Sequence, residues 1–128
     1  MSRHFTARFA CALCLCVAAL AVPRLAWSHA FPDHQTPGAG VVLKSSPTAV
    51  NIWFDGALEP IFSTVTVQDA SGRVVAKGAV TAGQPDPTLL QAPLPKLGPG
   101  AYQVQWSVVA RDGHRTEGRY TFIVQPMP

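Results

Sequence analysis

Asp112 and His114 offer a carboxylate and an imidazole two positions apart, with Gly113 between them. In locally extended chain that spacing points both side chains the same way, which suits two neighbouring ligands of one metal ion. Asp-Gly is also a common turn dipeptide and a surface histidine is ordinary, so the pair needs further donors to carry such chemistry. Those donors stand at the other end of the chain. Ala26-Trp27-Ser28 reads as a small-x-small cleavage site, and processing there would leave His29 as the first residue. A leading histidine brings two nitrogens, its free α-amine and its ring Nδ1, which can close a chelate on one ion. With the His114 ring and the Asp112 carboxylate, the set becomes three nitrogens and one oxygen, which suits tetragonal Cu(II). His34 follows in a turn-rich stretch and is a further candidate nitrogen. This assembly requires a fold that brings residue 29 beside residues 112–114.

Residues 1–28 have the layout of an export signal. Arg3 and Arg8 form a basic start, and residues 9–22 form an apolar core followed at once by Pro23 and Arg24. That core is shorter than the roughly 18 apolar residues a membrane-spanning helix needs, so removal is expected rather than anchoring. Cys11, Cys14 and Cys16 all fall inside it. Bulky Leu13 and Leu15 precede the last two, which argues against lipidation. The expected mature domain, residues 29–128, therefore has no disulfide, thiolate metal site or nucleophilic cysteine. Removing Arg3, Arg8 and Arg24 from ten basic residues leaves seven against seven acids, so the basic excess belongs to the signal. Neither nucleic acid nor an anionic membrane surface is favoured as a partner.

The elements that must position the candidate ligands read as strands. Tyr102, Val104, Trp106 and Val108 alternate with Gln103, Gln105 and Ser107, and Tyr120, Phe122 and Val124 alternate around Thr121, giving two strands around the Asp112–His114 turn. Val50, Ile52 and Phe54 repeat the pattern, as do Val65 and Val67, and residues 73–76 and 88–91 read as short strands. Residues 32–40 are rich in turn formers and are expected to run as irregular chain. No segment has a helical period, and 12 prolines oppose one. The expectation is an all-β domain, an antiparallel Greek-key sandwich or barrel of about seven short strands. No phosphate-cradling glycine loop or Gly-x-Ser-x-Gly motif occurs.

The leading His29-Ala30, the segment from Phe54 through Glu59-Pro60 and Phe62-Ser63 to Val67, and the run from Tyr102-x-Val-x-Trp106 through Asp112-Gly-His114 to Val124 together resemble the CopC family of periplasmic copper-binding proteins. The resemblance covers nearly all of the expected mature chain. It implies an Ig-like β-fold, periplasmic localisation and one Cu(II) per chain, with His29, Asp112 and His114 in the places of the family's ligands. Glu59 matches an acidic position sometimes found near that copper. Some members also bind Cu(I) through a methionine-rich loop, whereas this mature chain has only Met127, so a Cu(I) site is not expected.

The reading is a monomeric carrier or chaperone in copper homeostasis or resistance, not an enzyme and not inserted in a membrane. An inner-membrane copper transporter of the CopD type is its expected partner. Two alternatives share the same residues. A copper-dependent oxidative enzyme could also use an N-terminal histidine, although Asp112 would fill a position that oxygen chemistry needs open. An Ig-like interaction domain would make the histidines incidental.

Overall fold

The structure, a computed structural model, describes residues 29–126. The expected export signal with its cysteines, and Met127, lie outside the described residues. Eight strands follow in order: β1 (Pro32–Thr36), β2 (Val42–Leu43), β3 (Ala49–Phe54), β4 (Thr64–Gln68), β5 (Val74–Ala79), β6 (Leu89–Pro93), β7 (Gly100–Val109) and β8 (Arg115–Val124). A single 3-10 turn, Pro60–Phe62, lies between β3 and β4. No helix among the described residues is long and apolar enough to cross a membrane.

The strands form one curled sheet in the order β1-β3-β6-β5-β4-β7-β8-β2. Between β5 and β6 only Ala79 and Gln91 pair, so the sheet folds over at that seam. The fold turns the β1–β3–β6 layer onto the β5–β4–β7–β8–β2 layer, and the chain crosses between layers after β1, β2, β3, β5 and β6. Alternation decides what lies between them. Val50, Ile52 and Phe54 of β3 and Leu90 and Ala92 of β6 face Val65, Val67, Val104, Val108 and Phe122, all buried. Each large side chain among them contributes roughly 1.5–3 kcal/mol of apolar burial.

The expected all-β sandwich therefore forms, with three differences in detail. The described residues form eight strands where about seven are expected, and β2 runs parallel to β8 instead of antiparallel. Residues 32–36, expected to be irregular, form β1 and pair with β3. Pro32 is tolerated because β1 is an edge strand, where one missing N–H costs little. The strand is held from outside the core: the His34 ring stacks on Trp53 at 4.4 Å and 11°, and Asn51 Nδ2 donates to Thr36 Oγ1.

The last strand begins earlier than its apolar alternation suggests, at Arg115 instead of Tyr120. Its inward positions there are Thr116 and Gly118, neither of them apolar, so the period is hidden in the sequence. Gly118 is small for a reason. A Cβ on it would overlap the indole of Trp106, which lies opposite and packs edge-on against Phe54 at 5.1 Å.

Two stability predictions follow from this packing. A Cβ on Gly78 would collide with the Gln91 backbone at the seam, whereas one on Gly98 meets nothing. Gly78→Ala should cost about 1–3 kcal/mol in urea denaturation and Gly98→Ala under about 0.5 kcal/mol. Tyr120 is the second case: its hydroxyl is buried without a hydrogen-bond partner among the described residues, and burial pushes the phenol up to about 12 from its ordinary 10.0. A folded-state value above the unfolded one stabilises the protein below pH 10.0, and that contribution is lost as pH rises towards about 12. The denaturation midpoint should fall across that window, and Tyr120→Phe should remove part of the fall without lowering stability at neutral pH.

Candidate metal centre

The β7–β8 hairpin carries the turn at one end of the sandwich. Its strands pair from Gly100↔Val124 to Val109↔Arg115 without a break, so the connecting turn leaves the sheet in a fixed direction. Ala110 N–H donates to His114 O at 2.9 Å, and Gly113 N–H donates to Ala110 O at 2.9 Å, which closes the loop on itself. Gly113 has φ +90°, a left-handed conformation that costs glycine least. The pair is therefore not in extended chain, as the two-residue spacing suggested. Asp112 and His114 converge through a turn instead: Asp112 Oδ1 accepts the His114 backbone N–H at 2.9 Å and lies 3.2 Å from the His114 ring Nδ1.

The loop is braced from its flank by the chain leaving β3. Leu58 bridges Ala110, Glu59 N–H donates to Val109 O at 2.8 Å, and Arg111 N–H donates to Ala57 O at 3.2 Å. Ser63 is fully buried, and its Oγ accepts the Val109 N–H at 3.2 Å.

His29 arrives from the far end of the chain. Its ring stands edge-on to that of His114, with centroids 4.5 Å apart. One ligand atom from each of His29, Asp112 and His114 can be chosen so that all lie within 4.8 Å of one another. The residues that bring it there are two that sequence reading passed over. Thr116 Oγ1 donates to Ala30 O at 2.7 Å, and Asp55 Oδ1 accepts the Phe31 N–H at 2.7 Å while the Asp55 N–H donates to Phe31 O at 2.9 Å. Ala30 between these contacts is fully buried. No local sequence pattern marks these anchors, because the apolar alternation of the last strand starts only at Tyr120.

The other two candidates do not join the cluster. The His34 ring lies on Trp53 in β1, with Nδ1 3.0 Å from Asp33 Oδ2. Glu59 is at the same end as the loop and half-buried, but its carboxylate is outside the group of converging ligand atoms.

The electrostatics suit a cation. The Asp112 carboxyl is held below the usual range chiefly by the His114 backbone N–H; desolvation opposes this, and the His114 ring and the charges of His114 and His29 reinforce it. An ionised carboxylate thus faces two imidazoles across a gap of a few ångströms. Two borderline nitrogens and a hard oxygen at this separation fit a first-row divalent ion.

Comparison with known proteins sets this arrangement among relatives. The CopC domain matches residues 33–125. The chain belongs to the CopC domain family. Among its relatives is Protein YobA of Escherichia coli K12, 33% identical over 115 residues, which cover 89% of this chain and 92% of YobA. The copper transport protein CutJ of Bacillus subtilis 168 is 27% identical over 104 residues, 80% of this chain but 19% of CutJ. Among solved structures, CopC from Methylosinus trichosporium OB3b superposes with a TM-score of 0.71 at 33% identity, covering 78% of this chain and 97% of that one. PcoC, a methionine-rich copper resistance protein from Escherichia coli, gives 0.66 at 28% identity, with 77% and 100% covered. The CopC domain here thus presents its candidate ligands at one end of a sandwich shared with both structures.

The turn geometry makes a prediction that needs no metal. Asp112→Ala removes the acceptor of the His114 amide, whose hydrogen exchange should rise to that of an open turn. Asp112→Asn keeps an oxygen there and should preserve most of the protection, which amide exchange by NMR will read.

Proposed function

We propose that this protein is an exported copper carrier that holds one Cu(II) per chain through the α-amine and ring of His29, the Asp112 carboxylate and the His114 ring. The observation that carries the reading is the convergence of His29, Asp112 and His114, residues from opposite ends of the chain, to within 4.8 Å. Three nitrogens and one carboxylate oxygen match the tetragonal preference of Cu(II). Relatives named for copper resistance and copper transport support copper as the ion.

The α-amine can ligate only if it is free, so the reading includes removal of residues 1–28 and residence in the periplasm. Among those residues Arg3, Arg8 and the apolar core supply the export features, and Ser28 the cleavage point. The site fills its inner positions with protein donors, which suits holding and handing over an ion rather than activating oxygen. We take the protein to act as a monomer that passes its ion to an inner-membrane transporter of the CopD type. In CutJ a segment like this domain makes up 19% of a longer copper transport protein, which supports a transport partner.

Several outcomes test the reading. A competition titration should give one Cu(II) site with Kd of about 1 nM or tighter, equivalent to roughly 12 kcal/mol; micromolar binding would contradict it. A form that retains Ser28 turns the His29 amine into an amide. It should fold normally but lose several powers of ten in affinity and change its electron paramagnetic resonance spectrum. Cu(I) should be surrendered to a strong Cu(I) chelator, because soft thioether ligands are confined to Met127 in the mature chain.

A further inference from the structure

A metal ligand on the first residue of a chain has a physical difficulty. Chain ends are poorly ordered unless they are tied down, and an untethered His29 would be held only by the ion itself. The described residues contain the tether. Downstream of His29, the chain makes three backbone-directed hydrogen bonds in two consecutive residues: Ala30 O accepts from Thr116 Oγ1 at 2.7 Å, and the Phe31 N–H and O pair with the Asp55 side chain and N–H at 2.7 and 2.9 Å. The Ala30 methyl is sealed in the core with no exposed surface. The two anchors come from different layers of the sandwich, Asp55 from the end of β3 and Thr116 from β8. Thr116 lies on β8, two residues beyond His114 of the turn, and pairs with Val108.

We propose that Thr116 and Asp55 are positioning residues that clamp residues 30–31, so that His29 faces His114 before any metal arrives. Neither side chain belongs to the converging ligand set. Their action is through His29, in the way that outer-sphere groups orient the ligands of metal sites. The position of Thr116 couples the two halves of the centre, because a shift of β8 moves His114 and the anchor of His29 together. The threonine hydroxyl does this work at an inward strand position where a valine would otherwise serve the core. The same contact explains why the apolar alternation of β8 lapses there.

This inference rests on the copper reading above, and its test separates the two. Thr116→Val keeps the shape and β-propensity and deletes only the hydroxyl, Thr116→Ser restores the donor, and Asp55→Ala cuts the second anchor. For the exported, processed protein, four properties are measured: the metal-free thermal midpoint, amide exchange at Phe31, Cu(II) affinity by chelator competition, and the electron paramagnetic resonance spectrum. His114→Ala serves as the ligand control. The clamp predicts that Thr116→Val lowers Cu(II) affinity by roughly 10- to 100-fold and alters the spectrum at an unchanged thermal midpoint, while Thr116→Ser recovers both. Asp55→Ala should accelerate exchange of the Phe31 amide in the metal-free protein and weaken Cu(II) to a similar degree. If His114→Ala loses copper while Thr116→Val and Asp55→Ala bind as the wild type does, the clamp is wrong and the copper centre stands. If His114→Ala also binds as the wild type does, the centre itself is wrong and the clamp falls with it. Should Thr116→Val fail to fold, Asp55→Ala decides the matter by the same measures.

Discussion

The unbroken register between β7 and β8 is the constraint on which the rest of the molecule depends. Pairing runs from Gly100↔Val124 to Val109↔Arg115, so the turn at its end has little freedom of direction. The inner face of the hairpin supplies Val104, Val108 and Phe122 to the core, and the turn supplies Asp112 and His114 to the surface. One element thus carries both the packing and the candidate chemistry. The chain leaving β3 braces it through Leu58, Glu59 and Ala57, and that same chain holds Asp55, which ties down the N-terminal segment.

Much of this was legible in the sequence, and the limits of legibility have physical causes. Where inward positions are apolar, as in Val50-x-Ile52-x-Phe54 and Tyr102-x-Val104, alternation reveals the strand. Where they are Thr116 and Gly118, it fails, because one position is occupied by a hydroxyl bonded to Ala30 and the other is kept small for the Trp106 ring. Residues 32–36 looked irregular because Pro32 and polar side chains dominate an edge strand, whose stability comes from pairing with β3 and from the His34–Trp53 stack rather than from burial. The candidate ligands were legible by type and spacing, although a turn brings Asp112 and His114 together instead of extended chain. What no local pattern could reveal was the anchorage of residues 30–31, since Asp55 and Thr116 meet them across 24 and 86 residues of sequence.

The charge distribution fits a small centre more than a broad binding face. Asp112 is held ionised by the backbone of its own turn rather than by a lysine or arginine partner, so its charge remains available to a cation. A concavity of about 450 Å³ lies elsewhere, across the polar face of β4, β7 and β8 between Thr64, Gln105 and Arg119. Its lining of threonine, glutamine and opposed charges offers little to a metal. The candidate ligands are concentrated where the N-terminal segment meets the β7–β8 turn, and the sandwich brings the two together.

The central claim, that one Cu(II) is shared by His29 and His114, is tested most directly by pulsed electron paramagnetic resonance of the Cu(II)-loaded protein, in which the remote nitrogen-14 of each coordinated imidazole modulates the echo. Two coordinated imidazoles should modulate the echo, with one remaining in His114→Ala and both remaining in His34→Ala. A spectrum that shows a single imidazole in the wild type, or one that His114→Ala leaves unchanged, would contradict the account.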